Sequence, residues 1–261
     1  MKTAIIGVGA MGGSLAAGLL RAGSLPANDL WLANPHKEKL AHLQEQGAHV
    51  VSDNREAVRQ TDVVLLCVKP WLAPAVLEEI KPAMDYSRHT LVSVVAGLAG
   101  QDICHMMERE GGQPQVLLGL PNTAAAVCQS MTFLVPVNAD AAHTARVETL
   151  LGGVGQVMVT EERLLPAGMA LASCGIAYAM RYARAATEGG VELGIRAKDA
   201  LRVVLQTMAG AAALLRESGA NPEAEIDKVT TPGGFTIKGL NEMEHAGFSS
   251  AVVRGLKASV K

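Results

Sequence analysis

The stretch MKTAIIGVGAMGG, at positions 1–13, decides the fold of this chain. The apolar residues 3–6 predict a buried strand, and residues 14–20 continue at helical spacing. Between them, Gly7, Gly9 and Gly12 form a GxGxxG turn. In such a turn the first glycine permits the bend, the second admits a pyrophosphate and the third lets helix and strand pack closely. Strand, glycine turn and helix in this order predict dinucleotide binding.

The composition and charge of the chain indicate which classes of protein it can belong to. The chain has 261 residues, of which 49 % are hydrophobic and 18 % charged, so we expect a globular protein of one or two domains. A net charge of −2 without a basic patch gives no basis for a nucleic-acid partner. The chain starts directly on a core strand, from which we expect a cytoplasmic protein. Four scattered cysteines predict reduced thiols and no metal site.

Residues 164–180 are an uncharged run of 17 residues with helical character. The run is interrupted by Pro166, Gly168 and Gly175 and is short for a membrane span, which needs about 20 apolar residues. We therefore expect a buried helix and no membrane partner.

The first half of the chain alternates short β-rich runs with helical stretches. Helices are predicted at residues 37–46, Asn54–Arg59 and 139–151. The predicted strands are residues 3–8, Leu30–Ala33, His49–Val51, 63–68, 90–94, 116–120, 133–137 and 157–159. This alternation predicts an α/β fold with a parallel, doubly wound sheet.

After about residue 160 the pattern becomes helical. Residues 197–217 form a long amphipathic candidate, with Asp199 in its first turn and Gly219 just past its end. We predict a Rossmann-like domain at 1–160 and an all-helical dimerisation domain at 161–261. Because the helical half has more apolar surface than it could bury alone, we expect a homodimer, or a higher homo-oligomer built from dimers. Packing of these faces only against the sheet domain is the alternative.

The residues after the second predicted strand indicate whether the dinucleotide is NAD(H) or NADP(H). NAD-selective sites carry an acidic residue at this point, to bind the ribose 2′-hydroxyl. Here LWLA is followed by Asn34, Pro35, His36 and Lys37. A 2′-phosphate is attracted by Lys37 and His36, which favours NADP(H) and leaves NADH open as a second donor. The alternative is that these side chains only line a solvated turn.

A second motif, TTPGGFTIKGL, lies at residues 230–240. We expect Thr231 to cap a helix and the following proline to take its first position. Gly233 and Gly234 would then present unhindered N–H groups to an anion such as a substrate carboxylate, and Thr236 a hydroxyl one turn in. An ordinary capped helix is the alternative, although each glycine inside a helix costs about 1 kcal/mol.

The whole chain resembles the pyrroline-5-carboxylate reductase family, the enzymes of the last step of proline synthesis. The matching blocks are GVGAMG at 7–12, VKP at 68–70, VAG at 95–97, LPNT at 120–123, AYAMRYARAATEGGVELGI at 177–195 and TPGGFTIKGL at 231–240. The resemblance implies a Rossmann domain followed by a helical domain whose helices interleave between two subunits.

The resemblance also implies which residues form the site. The cofactor would contact the glycine turn, the third strand's end, the VKP and VAG blocks and the PNT block, that is Gly7, Gly9, Ala10, Met11, Gly12, Asn54, Val68, Lys69, Pro70, Ala96, Gly97, Pro121 and Asn122. The substrate would bind across the dimer seam at Val229, Thr231, Gly234, Phe235 and Thr236. Several positions depart from the family's usual residues and predict a shifted substrate preference, namely Leu118, Leu120, Ala124, Ser173, Cys174, Ile176 and Arg184.

The implied reaction is hydride transfer from the nicotinamide C4 to the C=N carbon of 1-pyrroline-5-carboxylate, which gives proline. Thr236 is the catalytic candidate, as the contact to the imine nitrogen, with the amides of Gly233 and Gly234 on the carboxylate. Lys69 is a candidate general acid, with a structural or phosphate-facing role as its alternative. The rival functions are another NADP-dependent imine or β-hydroxyacid reductase and a non-catalytic NADP-binding protein. The KxxxN pattern expected of β-hydroxyacid dehydrogenases is absent from the sequence, since Lys198 has no asparagine four residues on.

Overall fold

A computed structural model describes residues 1–110 and 112–260 of the chain. The chain divides into two compact units, the first covering Met1–Ser173 and the second starting at Cys174.

The first unit is built on one sheet of eight strands, β1 Thr3–Ile6, β2 Leu30–Ala33, β3 His49–Val51, β4 Val63–Leu66, β5 Thr90–Ser93, β6 Gln115–Leu120, β7 Ser130–Pro136 and β8 Gly155–Val159. Their spatial order is β3-β2-β1-β4-β5-β6-β7-β8. Strands β1 to β6 pair in parallel, which confirms the predicted α/β fold. Every strand of the prediction is present, with ends that differ by a few residues.

Both faces of the sheet are covered by helices, namely α1 Ala10–Ala22, α2 Ala41–Gln44, α3 Asn54–Arg59, α4 Ala73–Ile80, α5 Gly100–Met107, α6 Ala141–Gly152 and α7 Leu165–Gly168. Because strand residues alternate between faces, Ile5 packs with Leu15 of α1 in one core cluster, while Ile6 packs with Leu77 of α4 and Ile103 of α5 in the other. The sheet is therefore doubly wound, with a core on each side.

The pairing of β6 with β7 is antiparallel, which the expectation of a parallel sheet did not include. A parallel pair needs a crossover of a dozen or more residues, whereas only residues 121–129 join these strands. They form a short 3-10 turn, Thr123–Val127, that reverses the chain. β7 also begins three residues before the predicted start, because residues 130–132 pair with β8. Ser130 and Thr132 are buried there, with their hydroxyls 3.3 Å apart.

This 3-10 turn packs directly on α1. A Cβ at Gly18 would lie 2.1 Å from the carbonyl oxygen of Ala125, so the contact needs a glycine on the helix. Cys128 ends the turn with a φ of 57°, and its thiol donates to the Gly18 carbonyl over 3.5 Å. The glycine turn and the LPNT segment are therefore parts of one packed unit.

The second unit consists of α8 Gly175–Glu192, α9 Ala197–Ser218, α10 Pro222–Lys228, α11 Phe235–His245 and α12 Phe248–Ala258. The predicted long helix is confirmed, and Gly219 ends it with a φ of 58°. Among the described residues of these helices, only Ala183 and Ala200 are buried. Large apolar side chains remain exposed on several of them, including Met180, Leu205, Leu214 and Val253.

The expected burial of the uncharged run is not met within one chain. Residues Glu162–Glu192 are helical throughout and apolar enough by length and composition to cross a membrane, and 11 % of their most apolar window is buried. A π-helical segment, Met169–Cys174, lies within this stretch. The surface that it leaves uncovered is available to another subunit.

Candidate active site

The three glycines of the turn do different work at the carboxyl end of β1. Gly7 has a φ of +90°, and a Cβ there would lie 2.8 Å from the side chain of Val68. A Cβ at Gly12 would lie 2.2 Å from the carbonyl oxygen of Gly7. Beside Gly9, by contrast, no atom of the described residues other than Gly9 and its neighbours Val8 and Ala10 lies within 4 Å of the added carbon. Packing therefore requires the first and third glycines, while the second borders open space that a ligand can enter.

The N-terminus of α1 opens onto the same space. Gly9 is its N-cap, with no side-chain hydrogen bond to the first turn, and no acidic residue lies in that turn. The first N–H groups of a helix lack intrahelical partners and carry partial positive charge. The backbone from Gly9 through Ala10 and Met11 to Gly12 thus fits a pyrophosphate, as the sequence predicts.

Asn34 holds the loop after β2 against the glycine turn. Its amide nitrogen donates to the Val8 carbonyl over 3.1 Å, and its Oδ1 accepts from the His36 amide over 3.2 Å. Lys37 is exposed on the next turn. The Glu38 carboxylate, which the sequence argument overlooked, lies 3.3 Å from His36 Nδ1. The Glu38 carboxylate beside His36 would repel a 2′-phosphate, which leaves Lys37 as the candidate for this group, and both side-chain bonds of Asn34 hold the loop in place.

The VKP block continues from β4 beside the glycine turn. Val68 touches Gly7, Lys69 is exposed, and Pro70 opens a short 3-10 turn, Pro70–Leu72. Burial raises the pKa of the preceding Cys67 thiol to about 12, so this cysteine stays protonated at neutral pH. Asn54, at the start of α3, donates from its amide to Glu79 over 2.9 Å.

A cavity of about 300 Å³ lies at the carboxyl ends of β5 and β6. Ala96 and Gly97 line it. Leu118 and Leu120, two of the positions that depart from the family's usual residues, line it as well. Its remaining lining residues are Ser93, Val94, Val95, Leu98, Ala99, Gly119, Glu162, Leu165, Pro166 and Met169. The wall is therefore almost wholly apolar, as suits a flat ring such as nicotinamide.

Glu162 is the one carboxylate on this wall and was missed by the sequence reasoning. Its Oε1 accepts from the amide of Gly100 over 3.0 Å, at the start of α5. A carboxylate at a helix N-terminus is stabilised by the unpaired N–H groups there. Sequence alone gave no signal, since the two residues lie 62 positions apart.

Asn122 uses its polar atoms within the protein. It is 4 % exposed, its Oδ1 accepts from the amide of Ala124 over 3.0 Å, and its amide nitrogen donates to the carbonyl of Ala172 over 3.1 Å. The carbonyl of Pro121 accepts from the hydroxyl of Ser173 over 3.2 Å. The PNT segment is thereby fixed to residues 172–173, and Asn122 acts on the site by holding this wall in place.

The expected helix start at Thr231 is wrong. Helix α11 begins at Phe235 with Gly234 as its N-cap, and residues 231–234 form a turn in which the Gly234 amide donates to the Thr231 carbonyl over 2.9 Å. Proline in second position and a φ of +72° at Gly233 are what a type II turn needs. A Cβ at Gly234 would lie 2.5 Å from the Thr231 hydroxyl. The turn itself therefore accounts for both glycines.

The predicted substrate residues are open to solvent in the single chain. Val229 is 62 % exposed and Phe235 94 %, and Thr236 is exposed at the start of α11. All of them belong to the second unit, whereas every predicted cofactor residue belongs to the first. Within the first unit, the glycine turn, the loop after β2 and the VKP block meet at the carboxyl edge of the sheet.

Known proteins match both halves of the chain. Residues 162–261 match the family described as pyrroline-5-carboxylate reductase dimerisation, and residues 2–97 match NADP oxidoreductase, coenzyme F420-dependent. Pyrroline-5-carboxylate reductase of Arabidopsis thaliana is 31 % identical over 100 % of this chain and 93 % of its own length. Pyrroline-5-carboxylate reductase 1 of Dictyostelium discoideum is 38 % identical over 98 % of this chain, which spans 48 % of that relative's length.

The chain belongs to the pyrroline-5-carboxylate reductase family. Solved structures agree. Plasmodium falciparum pyrroline carboxylate reductase with NADP bound is 25 % identical, covers 100 % of this chain and 95 % of its own, and superposes with a TM-score of 0.89. The Streptococcus pyogenes reductase is 29 % identical, with coverage of 100 % and 96 % and a TM-score of 0.85.

Membership confirms the predicted NADP(H)-dependent oxidoreductase that reduces 1-pyrroline-5-carboxylate to proline. The match at 162–261 supports homo-oligomerisation of the reductase. Among residues 1–110 and 112–260, no three histidine, cysteine or acidic side chains gather as a metal site would require.

Proposed function

We propose that this reductase converts 1-pyrroline-5-carboxylate to L-proline with NADPH bound across the carboxyl edge of the sheet. One observation carries the cofactor assignment: open space beside Gly9, framed by the packed glycines at positions 7 and 12. A βαβ turn that binds no ligand has no need for glycine at position 9, because the packing of the turn does not require it.

In this proposal NADPH, when bound, supplies the hydride. The amides from Gly9 to Gly12 hold its pyrophosphate, and Lys37 holds the 2′-phosphate. The cavity lined by Ala96 and Gly97 receives the nicotinamide. The apolar wall excludes water from this cavity, and Glu162 fixes one edge of it through its bond to α5. The first unit, Met1–Ser173, would thus form the cofactor-binding domain, which extends past the predicted boundary at residue 160 because Glu162 lines the cavity.

The TPGG turn and the start of α11 would hold the substrate. The first N–H groups of α11, together with that of Gly233, would donate to the substrate carboxylate, while the Gly234 amide is already bonded to the carbonyl of Thr231. The hydroxyl of Thr236 would contact the ring nitrogen, where it keeps the C=N bond polarised, and this nitrogen takes up a proton from solvent as the carbon receives the hydride. Proximity and orientation then supply the rate, with no nucleophile required. The second unit would thus carry substrate binding, and residues 162–261, which match the dimerisation family, would carry dimerisation.

A second subunit would complete the site. The exposure of Val229 and Phe235 leaves the substrate residues without walls in one chain. Exposed apolar side chains on α8, α9 and α12 supply the surface for such a subunit. We therefore propose a cytoplasmic homodimer, or an oligomer of such dimers, in which these faces are covered by protein and not by membrane.

Two departure residues, Leu118 and Leu120, lie on the nicotinamide cavity, and a third, Ser173, anchors Pro121. Because the cavity wall is apolar, a substrate ring finds few polar groups near its reacting carbon. We propose that these changes broaden the range of cyclic imines accepted and leave the cofactor unchanged.

One set of assays tests the proposed function. NADPH oxidation is followed with 1-pyrroline-5-carboxylate, NADP⁺ reduction with 3-hydroxy acids, and NADPH binding by calorimetry. The proposal predicts turnover with the imine and formation of L-proline. Turnover only with hydroxy acids would identify the β-hydroxyacid rival, and binding without any turnover would identify a non-catalytic protein.

A further inference from the structure

Trp71 is an exposed tryptophan beside the cofactor edge that nothing in the site so far uses. It is 75 % exposed, which is the largest value for a large apolar side chain among the described residues of the first unit. The other tryptophan, Trp31, is half-buried on β2 and stacks on His49 with ring centroids 4.2 Å apart. An indole left in water forgoes the stabilisation that burial would give, which indicates another use.

The backbone holds Trp71 in a fixed position. Pro70 precedes it, and the amide of Leu72 donates to the carbonyl of Lys69 over 2.9 Å to close the 3-10 turn. Helix α4 begins immediately afterwards at Ala73, which is fully buried. The side chain is thus presented from a rigid turn between a proline and a core residue, and only its own rotamers remain free.

The turn that carries Trp71 lies next to the glycine turn. Strand β4 pairs with β1, and the amide of Cys67 donates to the carbonyl of Ile6 over 2.8 Å at their carboxyl ends. Val68, three residues before Trp71, touches Gly7. The chain therefore leaves the pyrophosphate cradle and reaches Trp71 within one short turn.

The sheet order decides which half of the cofactor passes this turn. In the order β2-β1-β4, the loop after β2 flanks the glycine turn on one side and the loop after β4 flanks it on the other. Lys37, on the β2 loop, draws the 2′-phosphate and hence the adenosine ribose to this end of the sheet. Adenine is bonded to C1′ of that ribose, so its ring can extend from the β2 loop across the end of β1 toward the β4 loop, which is two strands, or about 10 Å, away.

We propose that the indole of Trp71 packs on the face of the adenine ring of NADP(H) and acts as a cofactor-binding residue. This inference rests on the proposed function. A planar indole and a planar purine offer each other large apolar faces, and aromatic pairs gain beyond the area that they bury. The exposed fraction of Trp71 is then the surface that adenine covers.

Adenosine 2′,5′-bisphosphate tests the inference, because it carries the adenine and both phosphates but no nicotinamide. Its dissociation constant is measured by calorimetry for the wild-type chain and for Trp71→Ala, Trp71→Phe and Leu72→Ala, with circular dichroism melts to show that each variant folds. We expect Trp71→Ala to weaken binding about five- to tenfold, the equivalent of about 1–1.4 kcal/mol. Trp71→Phe should stay within about twofold of the wild type, and the neighbouring exposed Leu72→Ala should leave the constant unchanged.

Fluorescence provides a second readout. In a Trp31→Phe background all indole emission comes from Trp71, and the bisphosphate should quench it with the same dissociation constant. Unchanged affinity in Trp71→Ala and unquenched emission overturn the inference, and a change in oligomer mass alone would identify Trp71 as a subunit contact instead. A wild-type chain that binds neither the bisphosphate nor NADPH would refute the proposed function itself, which is a distinct outcome.

Discussion

Thr236 is the side chain to which the proposed chemistry assigns a direct contact with the substrate nitrogen. It is exposed at the start of α11, two residues after the N-cap Gly234. Thr236→Ala should lower kcat/KM for 1-pyrroline-5-carboxylate about ten- to a hundredfold, a loss of about 1.4–2.7 kcal/mol in transition-state stabilisation. Thr236→Ser keeps the hydroxyl and should recover most of this loss. Steady-state kinetics with both variants that match the wild type would remove Thr236 from the mechanism.

His89 couples the stability of the first unit to pH. Its ring is fully buried, Nδ1 accepts from the amide of Asp85 over 2.7 Å, and Nε2 lies 3.0 Å from the carbonyl of Val58. Burial, together with the charge of Arg88, holds the pKa of His89 below its usual value. The folded state therefore keeps the ring neutral at a pH where the unfolded chain has taken up a proton.

The sign of this linkage follows from proton binding. Between the lowered pKa and about 6.5, the unfolded state binds more protons, so stability rises with pH and falls as pH drops below about 6.5. Melting temperatures measured between pH 5 and 8 should show this slope. His89→Gln should flatten it and, because Asp85 and Val58 lose a partner, cost about 1–3 kcal/mol at pH 7. An unchanged slope in the variant would contradict the assignment to His89.

At the scale of elements, the glycine turn and α1 separate cofactor contact from packing. Gly9→Ala places a methyl group where, apart from the adjoining residues, no described atom lies within 4 Å, and the φ of −88° and ψ of −149° at this position lie at the edge of the region that alanine adopts. It should lower the melting temperature less than Gly12→Ala does and bind NADPH at least tenfold more weakly, because the methyl group enters the pyrophosphate space. Gly12→Ala forces a carbon to 2.2 Å from the carbonyl oxygen of Gly7 and should destabilise the fold by about 1–3 kcal/mol.

Calorimetric binding and thermal melts of the two glycine variants give the comparison. The matched pair changes the same atom count in the same turn, so general damage would lower both melting temperatures by similar amounts. If Gly9→Ala binds NADPH normally, the ligand does not approach this backbone, and the cradle has been misplaced.

The sequence predicted the elements of the first unit well where one residue type forces one conformation. GxGxxG fixed the turn, and strands rich in valine and leucine lay where expected, as at Val63–Leu66. The start of β7 was missed because Ser130 and Thr132 are polar yet buried. The TPGG segment was assigned to a helix because proline suits both the first helical position and a turn, and only the positive φ of Gly233 distinguishes the two.

Contacts between segments that are distant in the chain could not be predicted from the sequence. Nothing near Glu162 indicates that it meets Gly100, and the fit of Gly18 against the carbonyl of Ala125 is set by the approach of two elements. The sequence shows which positions depart from the family pattern, but not what these residues contact. In the structure Leu118 and Leu120 line a cavity, whereas the hydroxyl of Ser173 donates to the carbonyl of Pro121. Their effect depends on geometry that no single position encodes.

On the scale of the whole molecule, the helical unit needs a partner. Leu205 on α9 is 52 % exposed, and its neighbour Gln206 is also exposed. Leu205→Glu and Gln206→Glu each add one negative charge to the same helix, but only the first replaces an apolar side chain. Leu205→Glu should raise the dimer dissociation constant at least tenfold and lower kcat/KM in parallel, because burial of an unpaired charge is costly.

Analytical ultracentrifugation over a range of concentrations measures this dissociation constant. Gln206→Glu should remain close to the wild type in both mass and activity. A wild-type chain that is monomeric and fully active at micromolar concentration would refute the proposal that a second subunit completes the substrate site.

The central claim is that this reductase brings NADPH and a cyclic imine together for hydride transfer. The most direct measurement uses NADPH with deuterium at both C4 positions and unlabelled 1-pyrroline-5-carboxylate, followed by mass spectrometry and NMR of the product. We predict L-proline with a single deuterium on the ring carbon next to nitrogen, the carbon that was part of the C=N bond. Proline without deuterium, or consumption of labelled NADPH without proline, would contradict the account.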